Sequence, residues 1–155
     1  MQLQAGMDAP QFSLLDATGQ TFSLSAQQGK NIVLYFYPKD DTTGCTIEAN
    51  EFTTRTADFA ALNTLVVGLS RDDCASHAAF RDKYGLKVTL LADTESLVCQ
   101  QYGVLYDKEV DGVKKVSIQR STFVIDAQGK LRHALYGIQA RGHADEIFNL
   151  IKEMK

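Results

Sequence analysis

The chain has 155 residues, 45% hydrophobic and 23% charged, and its 16 basic against 19 acidic side chains leave a formal charge of −3. Such a length and balance point to a single domain over 1–155 and exclude disorder, collagen-like sequence and a miniature scaffold that needs staples to fold. There is no basic block suited to a phosphate backbone and no apolar run near the ~18 residues of a membrane span, so neither nucleic acid nor membrane is an expected partner. Residues 1–10 lack the basic and apolar regions of an export signal, which makes the cytoplasm the expected location. Cys45, Cys74 and Cys99 are too dispersed for a zinc site. His77, His133 and His143 are equally scattered and read as surface or cap residues, so neither metal nor cofactor is expected.

Phe12 to Leu15 and Thr21 to Leu24, parted by turn residues Asp16 to Gln20, predict an N-terminal hairpin. Ile32 to Tyr37 is apolar throughout and stops at Pro38, the pattern of a central strand buried on both faces. From Gly44 to Leu62 the residues Cys45, Ala49, Phe52, Thr56, Phe59 and Leu62 recur at three- and four-residue steps, which predicts one helix of about five turns. Leu65 to Leu69 is a second buried strand, after which Asp72 or Asp73 caps a helix that runs to Tyr84 and stops at Gly85. Val88 to Leu91 is a third strand, and Asp93 or Thr94 caps a helix through Gln101. Asp111-Gly112 marks a hairpin turn, Val116 to Asp126 reads as one long strand, Leu131 to Tyr136 returns, and Ala144 to Met154 is a closing helix. Parallel βαβ units followed by antiparallel strands and a terminal helix describe an α/β, thioredoxin-like fold: a mixed central sheet flanked by helices, with an N-terminal hairpin extension.

Cys45 falls where the first buried strand gives way to the long helix. Ligands bind at the carboxyl ends of strands in such sheets, and unpaired N–H groups of a first helical turn favour a thiolate over a thiol. An inert core cysteine would sit well inside the apolar stripe, whereas this one opens the helix behind a polar, Gly-containing loop, Lys39 to Gly44. The residue three before it is Thr42, so a C-x-x-C dithiol cannot form there, and a general dithiol oxidoreductase is disfavoured. A hydroxyl at that place serves either as a helix cap or as a hydrogen-bonding group for a small oxygen substrate. Arg120 shares one face of the Val116 to Val124 strand with Val116, Ile118, Thr122 and Val124, so a guanidinium interrupts an apolar row and needs a partner. It either snorkels to solvent or stabilises a nearby anion. Glu48, one turn after Cys45, either orients Arg120 or is a solvated helix carboxylate.

Pro38-Lys39-Asp40-Asp41-Thr42-Thr43-Gly44-Cys45-Thr46 resembles the peroxiredoxin active-site loop, P-x-x-x-T-x-x-C, and is most similar to the bacterioferritin comigratory protein (Q-type) subfamily. The resemblance spans nearly the whole chain. Ala9-Pro10-Gln11-Phe12-Ser13-Leu14, Tyr35-Phe36-Tyr37-Pro38, Gly68-Leu69-Ser70-Arg71-Asp72 and Arg120-Ser121-Thr122-Phe123-Val124-Ile125-Asp126 follow that family's segments in order. It implies that Cys45 is the peroxidatic cysteine, that Thr42 and Pro38 shape its pocket and that Arg120 is the active-site arginine. The implied substrates are hydrogen peroxide and organic hydroperoxides, with a thioredoxin-like protein or small thiol as reductant.

Family positions for a resolving cysteine correspond to Asn50 and Arg81, neither of them a thiol. Recycling therefore runs through an external thiol or, if the fold allows approach, through a disulfide with Cys74; Cys99 reads as core. A redox-sensing interaction protein that uses the same cysteine without efficient turnover is the alternative to an enzyme. The absence of a distinctive apolar surface segment favours a monomer.

Overall fold

The computed structural model describes residues 2–154. Its centre is a seven-stranded sheet in the order β2-β1-β5-β4-β3-β8-β9. The strands are β1 (Ser13–Asp16), β2 (Thr21–Ser23), β3 (Asn31–Phe36), β4 (Thr64–Ser70), β5 (Thr89–Ala92), β8 (Ser121–Ile125) and β9 (Leu131–Tyr136). β3, β4 and β5 run parallel, while β1, β2, β8 and β9 join antiparallel, so the sheet is mixed and the N-terminal hairpin is its edge. A separate two-stranded ribbon pairs β6 (Leu105–Val110) with β7 (Val113–Ile118). Asp111 and Gly112 both take positive φ at its tip, as a two-residue hairpin turn requires.

Past Asn31, β3 is hydrophobic because both of its faces are covered. Ile32, Leu34 and Phe36 join a core with Phe12, Val98, Tyr102 and Phe123. Val33, Tyr35 and Tyr37 enter a second core with side chains of α1 (Thr43–Thr54), α2 (Thr56–Ala61), α3 (Cys74–Tyr84) and α5 (His143–Lys152). α4 (Leu97–Gln101) lies on the first face through Val98 and Cys99. Where β3 pairs with β4, Tyr35 stands opposite Gly68. A Cβ on Gly68 would come 2.7 Å from the Tyr35 ring, so glycine leaves room for a large aromatic in the middle of the sheet. Among the described residues no helix is long and apolar enough to cross a membrane.

Two sequence expectations are corrected. The helix predicted over Gly44 to Leu62 is two helices with a break at Arg55. There the Phe52 carbonyl accepts from the Arg55 N–H, three residues on, at 3.1 Å and from the Thr56 hydroxyl at 3.1 Å, and the Phe59 N–H resumes the i→i−4 ladder on the Arg55 carbonyl at 2.9 Å. The break turns the chain too little to disturb the Phe52–Phe59 contact, so the apolar spacing continued across it unseen. The strand predicted over Val116 to Asp126 is likewise two, β7 and β8, belonging to different sheets. Arg120 lies in the gap and keeps the parity of Thr122 and Val124, whereas Ile118 turns to the opposite core. The row of five on one face does not exist. Of Asp72 and Asp73, it is Asp73 that caps α3, accepting from the Ser76 N–H, and Gly85 ends the helix in the left-handed conformation.

Candidate active site

Tyr37 leaves β3 buried, and Pro38, which cannot extend the ladder, turns the chain into a loop that ends at Thr42, the N-cap of α1. The Thr42 hydroxyl donates to the Lys39 carbonyl at 3.0 Å and leaves its lone pairs free at an exposed position. Cys45 stands in the first turn of α1, 1% exposed, behind this loop. Nothing on α1's own first turn neutralises the sulfur. The cation comes from the gap between β7 and β8, where Arg120 Nη2 donates to Cys45 Sγ at 3.4 Å.

The other arm of the guanidinium, Nη1, donates to Glu48 Oε1 at 2.7 Å. Glu48 is fully buried, one helical turn after Cys45, so a single helix presents both the sulfur and the carboxylate that fixes the arginine. Burial works against the Arg120 charge, but the adjacent Glu48 and Cys45 more than offset it and hold the guanidinium protonated. Burial pushes the Glu48 carboxyl up to about 7 in spite of Arg120. Its second oxygen, Oε2, finds no partner among the described residues. Behind the pair, His143 is buried with Nε2 2.8 Å from the Thr122 hydroxyl, and burial reinforced by the Arg120 charge pushes it down to about 4.

The arrangement can do a specific kind of chemistry. A planar cation touches the sulfur and sits at the mouth of a helix N-terminus, the place where a thiolate and a negative oxygen approaching it are both favoured. Pro38, Thr42, Cys45, Glu48 and Arg120 are thus brought together around one strand end. Cys74 is not part of that group. It opens α3 and lines a groove with Leu14, Leu15, Ala92 and Thr94 on the β1–β5 side of the sheet, away from β8. Cys99 is buried, with its N–H bonded to Asp93, and burial pushes its thiol far up. All three thiols are free.

Reading the histidines as surface or cap residues was wrong for two of them. His77 and His143 are both buried. His77 meets Asp40, with Asp72 nearby; their ligand-type atoms lie within 4.8 Å of one another. Those atoms are already engaged in hydrogen bonds to Ser76, Asp40 N–H, Ser70 and each other.

Residues 5–134 match the AhpC/TSA family. The chain is 40% identical over 147 residues to a Coxiella burnetii peroxiredoxin bcp, covering 95% of this chain and 97% of that protein. It is 37% identical over 154 residues to the peroxiredoxin Bcp of Bacillus subtilis, covering 99% and 98%. A solved Xanthomonas campestris bacterioferritin comigratory protein superposes with a TM-score of 0.89 at 31% identity, over 96% of this chain and 97% of that one. Xylella fastidiosa PrxQ does so at 0.92, also 31% identical, over 98% and 97%. With the fold, the strand-end cysteine and these full-length likenesses in agreement, the chain belongs to the AhpC/TSA family as a Bcp/Q-type peroxiredoxin, a thiol peroxidase.

Proposed function

We propose that Cys45 is the peroxidatic residue, that Arg120 and Thr42 bind the reacting peroxide, and that Glu48 orients Arg120. The observation that carries this reading is the Arg120 bridge, which joins Cys45 Sγ and Glu48 Oε1 with one guanidinium. The thiolate attacks one peroxide oxygen, an S–O bond forms as the O–O bond breaks, and the departing oxygen takes a proton and leaves as water or an alcohol. Arg120 stabilises the negative charge that grows on that oxygen, and Pro38 walls the pocket. Both hydrogen peroxide and organic hydroperoxides are substrates; the Xanthomonas relative is described as reducing alkyl peroxide, which favours the second.

The sulfenic acid left on Cys45 condenses with an external thiol, losing water and giving a mixed disulfide, and a second thiol from a thioredoxin-like protein or a small donor frees Cys45. The groove position of Cys74 on the β1–β5 side supports this one-cysteine route. The test is intact mass after one equivalent of peroxide with a sulfenic-acid trap, in the wild type and in Cys45→Ser. Trapped adduct on Cys45, absent from the variant along with turnover, is expected. Steady-state peroxide consumption by Cys45→Ser would overturn the assignment.

A further inference from the structure

The loop that carries Pro38 and Thr42 is short, polar and bears an aspartate, Asp41, at a φ of 61°. Such a segment has little of its own to hold it still. Its inward anchor is Asp40, 8% exposed, whose two carboxylate oxygens and N–H are all engaged. Oδ1 accepts from the buried Tyr37 hydroxyl at 2.6 Å, Oδ2 accepts from the Ser76 hydroxyl at 2.7 Å and lies 2.8 Å from His77 Nδ1, and the N–H donates to Asp72 Oδ2 at 2.8 Å. His77 is completely buried and is itself fixed, with Nε2 2.8 Å from the Leu91 carbonyl on β5.

Donor and acceptor requirements determine how this pair is wired. The Leu91 carbonyl can only accept, so Nε2 carries a hydrogen. His77 Nδ1 and Asp40 Oδ2 stand 2.8 Å apart, a separation that needs one hydrogen between the two atoms. A buried pair whose polar atoms all have hydrogen-bond partners resists rotation of ring or carboxylate, because turning either would leave a buried polar atom unpaired. The adjoining Asp41 adds an outer tie, accepting from Lys83 Nζ at 2.8 Å and the Tyr84 hydroxyl at 2.6 Å. The loop is therefore pinned to both ends of α3, at Ser76 and His77 near its start and at Lys83 and Tyr84 near its finish.

We infer that Asp40 and His77 are positioning residues for peroxide reduction: through the buried Tyr37–Asp40–His77–Leu91 chain they set the shape of the loop from Pro38 to Thr42. The inference rests on Cys45 being the peroxidatic residue. It assigns no contact with peroxide to either side chain. What they control is where the Thr42 hydroxyl and the α1 N-terminus stand relative to the sulfur, and in-line attack on an O–O bond is sensitive to ångström-scale misplacement.

The experiment compares two reactions of Cys45 in the same proteins: oxidation by hydrogen peroxide, which needs the thiolate and an organised peroxide pocket, and alkylation by iodoacetamide, which needs the thiolate and access to it but no aligned O–O bond. Asp40→Ala is expected to slow oxidation about 10- to 100-fold while alkylation changes less than about threefold. Asp40→Asn keeps an acceptor for Tyr37 and offers an N–H to a neutral His77 Nδ1, so it is expected to restore oxidation to within about threefold of wild type. Ser76→Ala removes one donor without disturbing the core and is expected to slow oxidation several-fold with alkylation unchanged; this variant decides the matter if Asp40→Ala does not fold. Unchanged oxidation in Ser76→Ala and Asp40→Ala, parallel loss of both reactions, or failure of Asn to rescue overturns the inference. A wild-type protein whose Cys45 is not oxidised would overturn both this and the peroxidatic assignment, whereas oxidised wild type with unaffected variants overturns only this one.

Discussion

Gly44 lies so close beneath Arg120 that a Cβ on it would stand 3.0 Å from Nη2 and 3.7 Å from Cζ. The guanidinium cannot retreat freely, because its other arm is held at 2.7 Å by the buried Glu48. Gly44 does not have positive φ, so alanine there brings no backbone strain, and the one group it presses closer than ordinary contact is the Arg120 guanidinium. Gly44→Ala is expected to slow peroxide oxidation of Cys45 about tenfold by moving Nη2 off the sulfur, and Arg120→Ala about 10²- to 10³-fold, or ~3–4 kcal/mol of barrier. A double-mutant cycle checks the cause. The two losses should fail to add; full additivity would show that Gly44 acts elsewhere.

Glu48 and His143 oppose each other in their dependence on pH. The Glu48 carboxyl is raised from 4.5 to about 7, so between those values the folded protein holds a proton the unfolded chain releases. Its stabilising contribution is present below about 4.5 and is lost as pH rises through about 7. His143 is lowered from 6.5 to about 4, so the unfolded chain takes up a proton the folded protein refuses. That contribution is present above about 6.5 and is lost as pH falls through about 4. Each amounts to roughly 3 kcal/mol at most. Urea unfolding of Glu48→Gln should show stability climbing from about pH 4 to 6.5, and that of His143→Asn should show it declining from about pH 4.5 to 7, with the wild type flatter than either. Superimposable pH profiles for the three proteins would remove both assignments.

Cys74→Ser is expected to retain peroxide turnover with an external dithiol. After one equivalent of peroxide the wild type should give a trapped sulfenic acid or a mixed disulfide on Cys45. Non-reducing peptide mapping provides the check, and a dominant Cys45–Cys74 bridge with turnover lost in the variant would refute the one-cysteine cycle.

Tyr35 and Gly68 make a pair of opposite predictions. The Tyr35 ring stacks on Phe52 with centroids 4.8 Å apart, so it cannot yield to a methyl at Gly68, and Gly68→Ala should destabilise by about 1–3 kcal/mol. The Tyr35 hydroxyl is buried and finds no hydrogen-bond partner among the described residues. Tyr35→Phe should therefore be neutral or stabilising. Melting temperatures measure both, and a large loss in Tyr35→Phe would show that the hydroxyl is in use.

Much of this architecture was legible because its signals are local. Ile32 to Tyr37 announced a doubly covered strand, Asp73 and Gly85 bounded a helix, and Asp111-Gly112 marked a tight turn. The places that misread are those where a nonlocal competitor decides. A helix can break at Arg55 without altering its apolar spacing, and a strand can change sheets between Ile118 and Ser121 with no change in composition. Arg120 was selected as needing an anion, and it has one, yet the face-sharing row from which that followed is absent. His77 reads as a surface or cap residue in the sequence because its carboxylate partner lies 37 positions earlier, and no spacing rule joins them.

The β6–β7 ribbon hangs outside the main sheet, tied back by the Gln119 N–H on the Val104 carbonyl at 2.7 Å and by Arg71 on the Val116 carbonyl at 2.6 Å. A lone hairpin with mostly exposed side chains has little free energy of its own. Its amide hydrogens should trade with solvent through small local openings, long before those of β3 and β4, and independently of denaturant. For protein engineering, that makes the Asp111-Gly112 tip a place to insert a fluorophore tag or an affinity peptide.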